Sequence, residues 1–305
     1  MKKLSMLATA AIMIIAAVSC QKKELTDNVQ PLEEKAVAVI SVKIPQDIAT
    51  KVYSDGTTAT KLHYAVYRAG EFLFGNEEDI AIALQAEVDI TLVKNVAYDI
   101  VFWAQSPDGP YTFDKQGKKI TVQNYTSAAN DEDRDAFYQV VKDYVYTPQA
   151  TVVELYRPFA QINFGASDYD EVVALLGDDC MTSDLTVAGL PDVLNVLDGS
   201  VEGSAEVAFT VAPVPAQHGE TLVVEGTEYA YVSMNYVLAP KEKNILTTLT
   251  GTFYYNNDDI ALTVPNVPYQ RNYRTNIIGE FFTGTASFDI VIEPIYENPD
   301  YNQNN

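Results

Sequence analysis

Histidine and cysteine are almost missing from this chain, with two of each in 305 residues. Two histidines, His63 and His218, cannot build a multi-histidine metal centre. His63 falls mid-way along an alternating run and His218 in the loop Pro215-Ala216-Gln217-His218-Gly219, so both read as structural. Cys180 stands beside Met181 after an acidic turn with no base nearby, which suits packing rather than a reactive thiol. Basic residues are scarce too: 20 Lys and Arg oppose 42 Asp and Glu, a formal net charge of −22. A field of that sign repels phosphate backbones and excludes nucleic acid as a partner. Its plain reading is solubility. No Gly-x-Ser-x-Gly elbow, phosphate loop or dinucleotide glycine pattern occurs. The residues therefore call for no catalytic centre, no cofactor and no metal, and the chain does not read as an enzyme.

Long apolar runs are confined to the N-terminus. Lys2 and Lys3 precede an apolar stretch over residues 4–17 that is too short for a permanent membrane span. It ends in Ala17-Val18-Ser19-Cys20, which resembles the lipobox of bacterial lipoproteins. The resemblance implies a signal peptide over 1–19 and acylation of Cys20, which becomes the first mature residue. Each buried methylene of such an anchor contributes ~0.8 kcal/mol, and more than one chain is needed for stable attachment. The alternative is an ordinary secretory signal with Cys20 merely near the cut. With Cys20 acylated, Cys180 has no intrachain partner. Residues 20–35 are polar, contain Pro31 and read as a tether, with Glu24 and Asp27 a faint sign of outward export.

What the chain has in quantity is strand-forming sequence: 20 Tyr and 12 Phe, with frequent Val, Ile and Thr. The stretch Tyr156-Arg157-Pro158-Phe159-Ala160-Gln161-Ile162-Asn163-Phe164-Gly165 divides it. Pro158 suits the first position of a strand, after which Ala160, Ile162 and Phe164 alternate with Phe159, Gln161 and Asn163. Short strands with turns between them lie on both sides, which predicts an all-β chain of two sandwiches, over 36–157 and 158–296, with a polar tail over 297–305. Strands are expected at 36–44, 61–68, 80–84, 88–93 and 98–103, with Glu77-Glu78-Asp79 as a loop. Asp168-Tyr169-Asp170-Glu171 resembles a capping box opening one short helix. Asp198-Gly199 and Asn257-Asp258 are hairpin-turn candidates.

Three patterns admit a functional and a plain reading. Asp131, Asp133 and Asp135 alternate as calcium ligands do, but Ala136 and Lys142 replace the glycine and glutamate of such a loop. A solvated cap on a short helical turn is the simpler expectation. Arg271 and Arg274 flank Tyr273 and suit either recognition of a carboxylate or sugar, or cross-strand pairing on a solvated face. Trp103 with Tyr98 is either a sugar platform or core.

Three stretches together look like the fimbrillin-like surface lipoproteins of Bacteroidales, the superfamily that includes the type V pilins. They are Lys61-Leu62-His63-Tyr64-Ala65-Val66-Tyr67, the acidic run Asn130-Asp131-Glu132-Asp133-Arg134-Asp135-Ala136-Phe137-Tyr138 with Arg157-Pro158-Phe159-Ala160-Gln161-Ile162-Asn163, and Val267-Pro268-Tyr269-Gln270-Arg271-Asn272-Tyr273-Arg274-Thr275-Asn276-Ile277-Ile278-Gly279. The resemblance covers nearly the whole mature chain. It implies two tandem transthyretin-like β-sandwich domains with one or two short helices, export as a lipoprotein, and a lipid-anchored place at the outer membrane surface or in a fimbrium. Pilin members assemble when a protease removes the first strand and a neighbour's strand fills the vacated groove, which is β-augmentation. Here the removable strand is 36–44, with Ala38, Ile40, Val42 and Ile44 as groove-fillers. Two features depart from the pilin pattern. No arginine lies between Cys20 and Arg68, which leaves Lys35, Lys43 and Lys51 for a processing protease, and the only C-terminal donor candidate is 287–296. The implied partners are other fimbrillin subunits or further copies of this chain, the membrane through the anchor, and a host or bacterial surface ligand. The implied role is structural or adhesive: a fimbrial subunit or an anchor or tip accessory. A glycan-binding surface lipoprotein of a nutrient-uptake system is the rival reading.

Overall fold

Alternation of apolar and polar residues carries through most of the described chain as strand. The computed structural model describes residues 33–44, 55–80, 84–123, 125, 128–176, 181–256 and 258–294. Cys20, the tether up to residue 32, Cys180, Asn257 and the tail 297–305 lie outside the described residues. The strands of the first half are β1 (Lys35–Lys43), β2 (Lys61–Arg68), β3 (Glu71–Asp79), β4 (Gln85–Val93), β5 (Ala97–Gln105), β6 (Tyr111–Asp114), β7 (Lys119–Val122), β8 (Ala136–Val145) and β9 (Thr151–Glu154). The second half holds β10 (Phe159–Ala166), helix α1 (Tyr169–Leu176), β11 (Thr182–Leu190), β12 (Val193–Asn195), β13 (Val201–Glu202), β14 (Ala205–Pro213) and β15 (Thr221–Val224). It ends with β16 (Thr227–Leu238), β17 (Asn244–Tyr255), β18 (Asp258–Tyr269), β19 (Tyr273–Glu280) and β20 (Ser287–Pro294). Short 3-10 turns cover Glu132–Arg134 and Pro215–His218.

Two sheets, β4-β1-β9 and β3-β2-β5-β8, enclose one apolar core. Ala86, Val88, Ile90 and Leu92 of β4 point into it while Gln85, Glu87, Asp89 and Thr91 face out, the period of two expected of a half-buried strand. Ala38, Ile40 and Val42 from β1 meet Leu62, Tyr64 and Val66 from β2 and Ile100 and Phe102 from β5 in this core. A five-stranded sheet, β15-β16-β10-β19-β20, and a four-stranded one, β14-β11-β17-β18, enclose a second core. There Phe164 packs edge-on against Phe253 at 5.5 Å and Phe281 at 6.0 Å, and Gly251 keeps room for its ring. The chain is all-β, with its sheets stacked as sandwiches and a single α-helix among the described residues.

The fifth sheet, β13-β12-β7-β6, joins the halves: Ile120 of β7 stands opposite Leu194 of β12 in an antiparallel pairing. Its apolar residues continue the second core, which also takes the rear face of the β3-β2-β5-β8 sheet. Ala65, Tyr67, Val101, Trp103 and Tyr138 pack there, together with Phe159. Strand β5 is consequently buried on both faces from Ile100 to Gln105.

Some local expectations shift. Residues 77–79, read as a loop, end β3, where Glu77 meets Lys61 and His63 of the paired strand. Ile80 and Leu84, read as the ends of a strand, lie outside strand, and the next strand starts at Gln85. Ala136, Phe137 and Tyr138, read as part of a loop and helical turn, open β8.

Candidate functional site

The first strand sits at the centre of its sheet. β1 pairs antiparallel with β4 over Lys35–Lys43 and parallel with β9 over Ile40–Lys43. Ala38, Ile40, Val42 and Ile44 are 0, 0, 2 and 4% exposed, so all four point into the first core. Beyond the strand, the N–H of Ile44 donates to the carbonyl of Leu84 at 2.9 Å and the N–H of Leu155 to that of Lys43 at 2.8 Å. A segment so placed leaves behind, if withdrawn, a slot bounded by two unpaired strand edges and floored by aliphatic and aromatic side chains.

A buried ion pair lies at the end of the first half. Arg157 donates from Nε and Nη2 to the two carboxylate oxygens of Asp135, at 2.5 and 2.6 Å, and both residues are fully buried. The Arg157 guanidinium also lies 4.7 Å from the ring centre of Phe137. Burial works against the charge on Arg157, but the Asp135 carboxylate outweighs it and holds the guanidinium protonated. Next to it Arg134, 1% exposed, lies over Phe209 at 4.8 Å and Tyr125 at 5.7 Å.

This arrangement disperses the alternating aspartates. Asp131 caps the Glu132–Arg134 turn by accepting from the N–H of Asp133, Asp133 accepts from the Ser106 hydroxyl at 2.6 Å, and Asp135 is held by Arg157. Among the described residues no group of His, Cys, Asp and Glu is placed to hold a metal ion. The expected helical turn is present; the carboxylate at its end is an interior group rather than a solvated one.

The arginines of the late signature are interior as well. Arg271, 4% exposed, donates to the carbonyls of Gly199 at 2.7 Å and Ala239 at 3.1 Å, stitching the β12–β13 turn to the end of β16. Arg274 donates from Nε to the amide oxygen of Gln161 at 3.2 Å. Asn163 donates to Asn276 at 2.8 Å and accepts from the Tyr231 hydroxyl at 2.7 Å, and all three are buried. Arg274 makes the expected cross-strand contact, opposite Gln161 on β10, but on a buried face rather than a solvated one, and Arg271 serves the interior too. Trp103 and Tyr98 belong to different cores, and the Trp103 indole N–H donates to Gln105 at 2.6 Å, so they form no common platform. His63 is half-buried beside Glu77, and burial pushes its pKa down against the carboxylate's pull.

Asp168 does something that the capping-box pattern did not announce. Its carboxylate accepts from the N–H groups of Phe281, Phe282 and Thr283 at 3.0, 2.8 and 2.7 Å and from the Thr283 hydroxyl. Burial alone pushes this carboxyl up, but those donors outweigh it and hold it below the usual carboxylate range. No motif marks the partner segment, which lies over a hundred residues away in sequence. A cleft at one end of the five-stranded sheet, between β15, β16, β19 and β20, was likewise invisible in the sequence.

The described residues form an all-β scaffold of stacked sheets with polar and charged groups paired in its interior. The chain belongs to a family of unknown function, DUF6562, whose model matches residues 30–305. No curated protein matches it. Among solved structures it is similar to a candidate cell adhesion protein from Bacteroides ovatus ATCC 8483, with 10% identity over 87% of this chain and 99% of that one and a TM-score of 0.52. It is also similar to a candidate polysaccharide-binding protein (DUF1812) from Bacteroides thetaiotaomicron VPI-5482, with 16% identity over 85% and 99% of the two chains and a TM-score of 0.50. At such identities the likeness is one of fold. Among the described residues no helix is long and apolar enough to cross a membrane.

Proposed function

We propose that this is a lipid-anchored cell-surface protein with a structural and adhesive role, a fimbrial subunit or an anchor or tip accessory, assembling by β-strand exchange. The observation that carries this reading is the position of β1. It is the middle strand of three, inserted by alternate residues Ala38, Ile40, Val42 and Ile44 and bonded on both sides. Its removal opens the first core along a groove whose shape only another alternating apolar strand restores. The occupant is a strand of a neighbouring subunit, of this chain or of a related one, and the subunit is held to the outer membrane by acyl chains on Cys20. The tandem bodies over 36–157 and 158–296 form the unit that is added at each step. The likeness in fold to adhesion and polysaccharide-binding candidates supports a surface setting without naming a ligand.

The test is controlled trimming. Purified protein carrying Cys20→Ser is cut after Lys43 or within 45–54, with the new N-terminus verified by mass spectrometry. The expected product is a ladder of oligomers that survives mild SDS. Trimmed protein that remains monomeric, or that simply unfolds in the presence of excess untrimmed chain and of β1 peptide, overturns strand exchange. Metabolic labelling with a fatty-acid analogue tests the anchor separately, with label expected on the natural chain and absent from the Cys20→Ser variant.

A further inference from the structure

Where β10 hands over to α1, the five-stranded sheet ends in a cleft of about 720 Å³, within the range of small-ligand sites. Five stretches of chain build it: Ser167 and Asp170 at the start of α1, Glu220 and Thr221 at β15, 227–230 on β16, and the facing ends of β19 and β20 at 278–280 and 287–289. Tight packing shapes it. A Cβ on Gly165 would come within 2.9 Å of Tyr229 and Leu222, and one on Gly279 within 2.1 Å of the Ser287 carbonyl. Glycine at these two places lets Tyr229 lie close over the sheet and β20 close up against β19.

The lining has a marked chemistry. Tyr229 on β16 is half-buried and shares a face of the sheet with Ile278 and Asp289, whereas Phe288, in register with Gly279, Ala166 and Ala230, faces the other side. Around the cleft stand Asp170, Glu220, Glu228, Glu280 and Asp289, with the hydroxyls of Ser167, Thr221, Thr227 and Ser287. Among the described residues that line the cleft there is no lysine, arginine or histidine.

We propose that this cleft binds an oligosaccharide built of neutral or amino-bearing sugars and rejects acidic ones. A pyranose offers an apolar C–H face to an aromatic ring and a rim of hydroxyl donors to carboxylates, which accept charge-assisted bonds. An amino group adds attraction to the same carboxylates and to the ring faces. A sulfate or uronate would bring a second negative charge into a site with no cation to meet it. A volume of about 720 Å³ suits several linked sugars rather than one. The proposal deepens the adhesive reading by naming the ligand class of a surface contact, but binding here requires no strand exchange.

The experiment uses the untrimmed Cys20→Ser chain, confirmed monomeric by size exclusion, so that its outcome is independent of the oligomer ladder. Cellohexaose, mannohexaose, a chitosan hexamer, a heparin hexasaccharide and hexalysine are titrated by calorimetry. Binding is expected from at least one of the first three, none from heparin, and only weaker, salt-screened binding from hexalysine. Tyr229→Ala should weaken that binding at least tenfold. Asp289→Asn and Glu228→Gln, at exposed positions, should weaken it severalfold with the melting temperature unchanged, and Tyr146→Ala, outside the cleft, should leave it intact. No binding by any of the first three, tighter binding of heparin or hexalysine, or binding that survives both carboxylate changes would sink the proposal.

Discussion

Arg157 and Asp135 form a fully buried pair where the first sandwich ends, and the sequence did not mark them as partners. A charged group stripped of its partner in the interior is far costlier than the pair is beneficial. Arg157→Met and Asp135→Leu singly should each lose about 3–5 kcal/mol in urea unfolding. The double variant should lose clearly less than the two singles together, and additive losses would show that the groups act independently. Asp168 gives a pH signature. Its folded pKa lies below the unfolded one, so its stabilising effect is complete above the unfolded value of about 3.9 and is lost as pH falls through the folded value. Asp168→Asn should therefore lower the melting temperature at pH 7, with the gap to the natural chain shrinking in strong acid; a gap that widens in acid contradicts this. Single polar residues were the least legible part of the chain. Arg271 reaches Gly199 and Asp168 reaches Phe281, partners set by topology rather than by spacing.

Elements were read more easily, because a period of two survives wherever one face is buried. β1, β2, β5 and β10 stood out in the sequence, although β5 and β10 are buried on both faces, and Ala38, Ile40 and Val42 do share the buried side. Ile40→Ala should cost about 2–5 kcal/mol, whereas Val37→Ala, at a residue 52% exposed on the same strand, should change stability by less than about 0.5 kcal/mol. Chevron or equilibrium denaturation of the two variants checks this contrast. The acidic turn supplies another expectation at this scale. Its aspartates already have protein partners, so millimolar calcium should leave the melting temperature unchanged. A rise that depends on Asp131 and Asp133 would show a site there after all. Elements that escaped notice were short or charged. β6, β13 and β15 have two to four residues each, too few for a pattern. The acidic end of β3 masked a strand because edge strands carry charge to deter unwanted pairing.

At the scale of the molecule, the sandwiches are tied by more than the linker at Arg157. β7 pairs with β12, the N–H of Val122 donates to Asp192, the N–H of Val196 donates to Lys118, and the Tyr138 hydroxyl donates to the Val196 carbonyl. A fragment over 158–294 would expose Phe159, Leu194 and Val196, which Trp103, Tyr111 and Ile120 now help to cover. That fragment should aggregate or give poorly dispersed NMR spectra, while 33–294 melts in one transition; two resolved transitions would show the halves to be independent. Two sandwiches were foreseeable from strand count and from the proline-led run at 158–165. The sheet uniting them was not, since its strands come from positions more than seventy residues apart and no local pattern records that distance. The pairing of β1 has a mechanical meaning as well. The chain enters along β1 from Lys35 and departs along the parallel β9 at Glu154, so opposed pulls on those two ends run along the strands. Such a load must slide all the inter-strand bonds of β1 together instead of peeling them singly. A body hung from its N-terminal side in flowing liquid would then hold fast while whole, yet come open once its backbone is nicked just past Ile44.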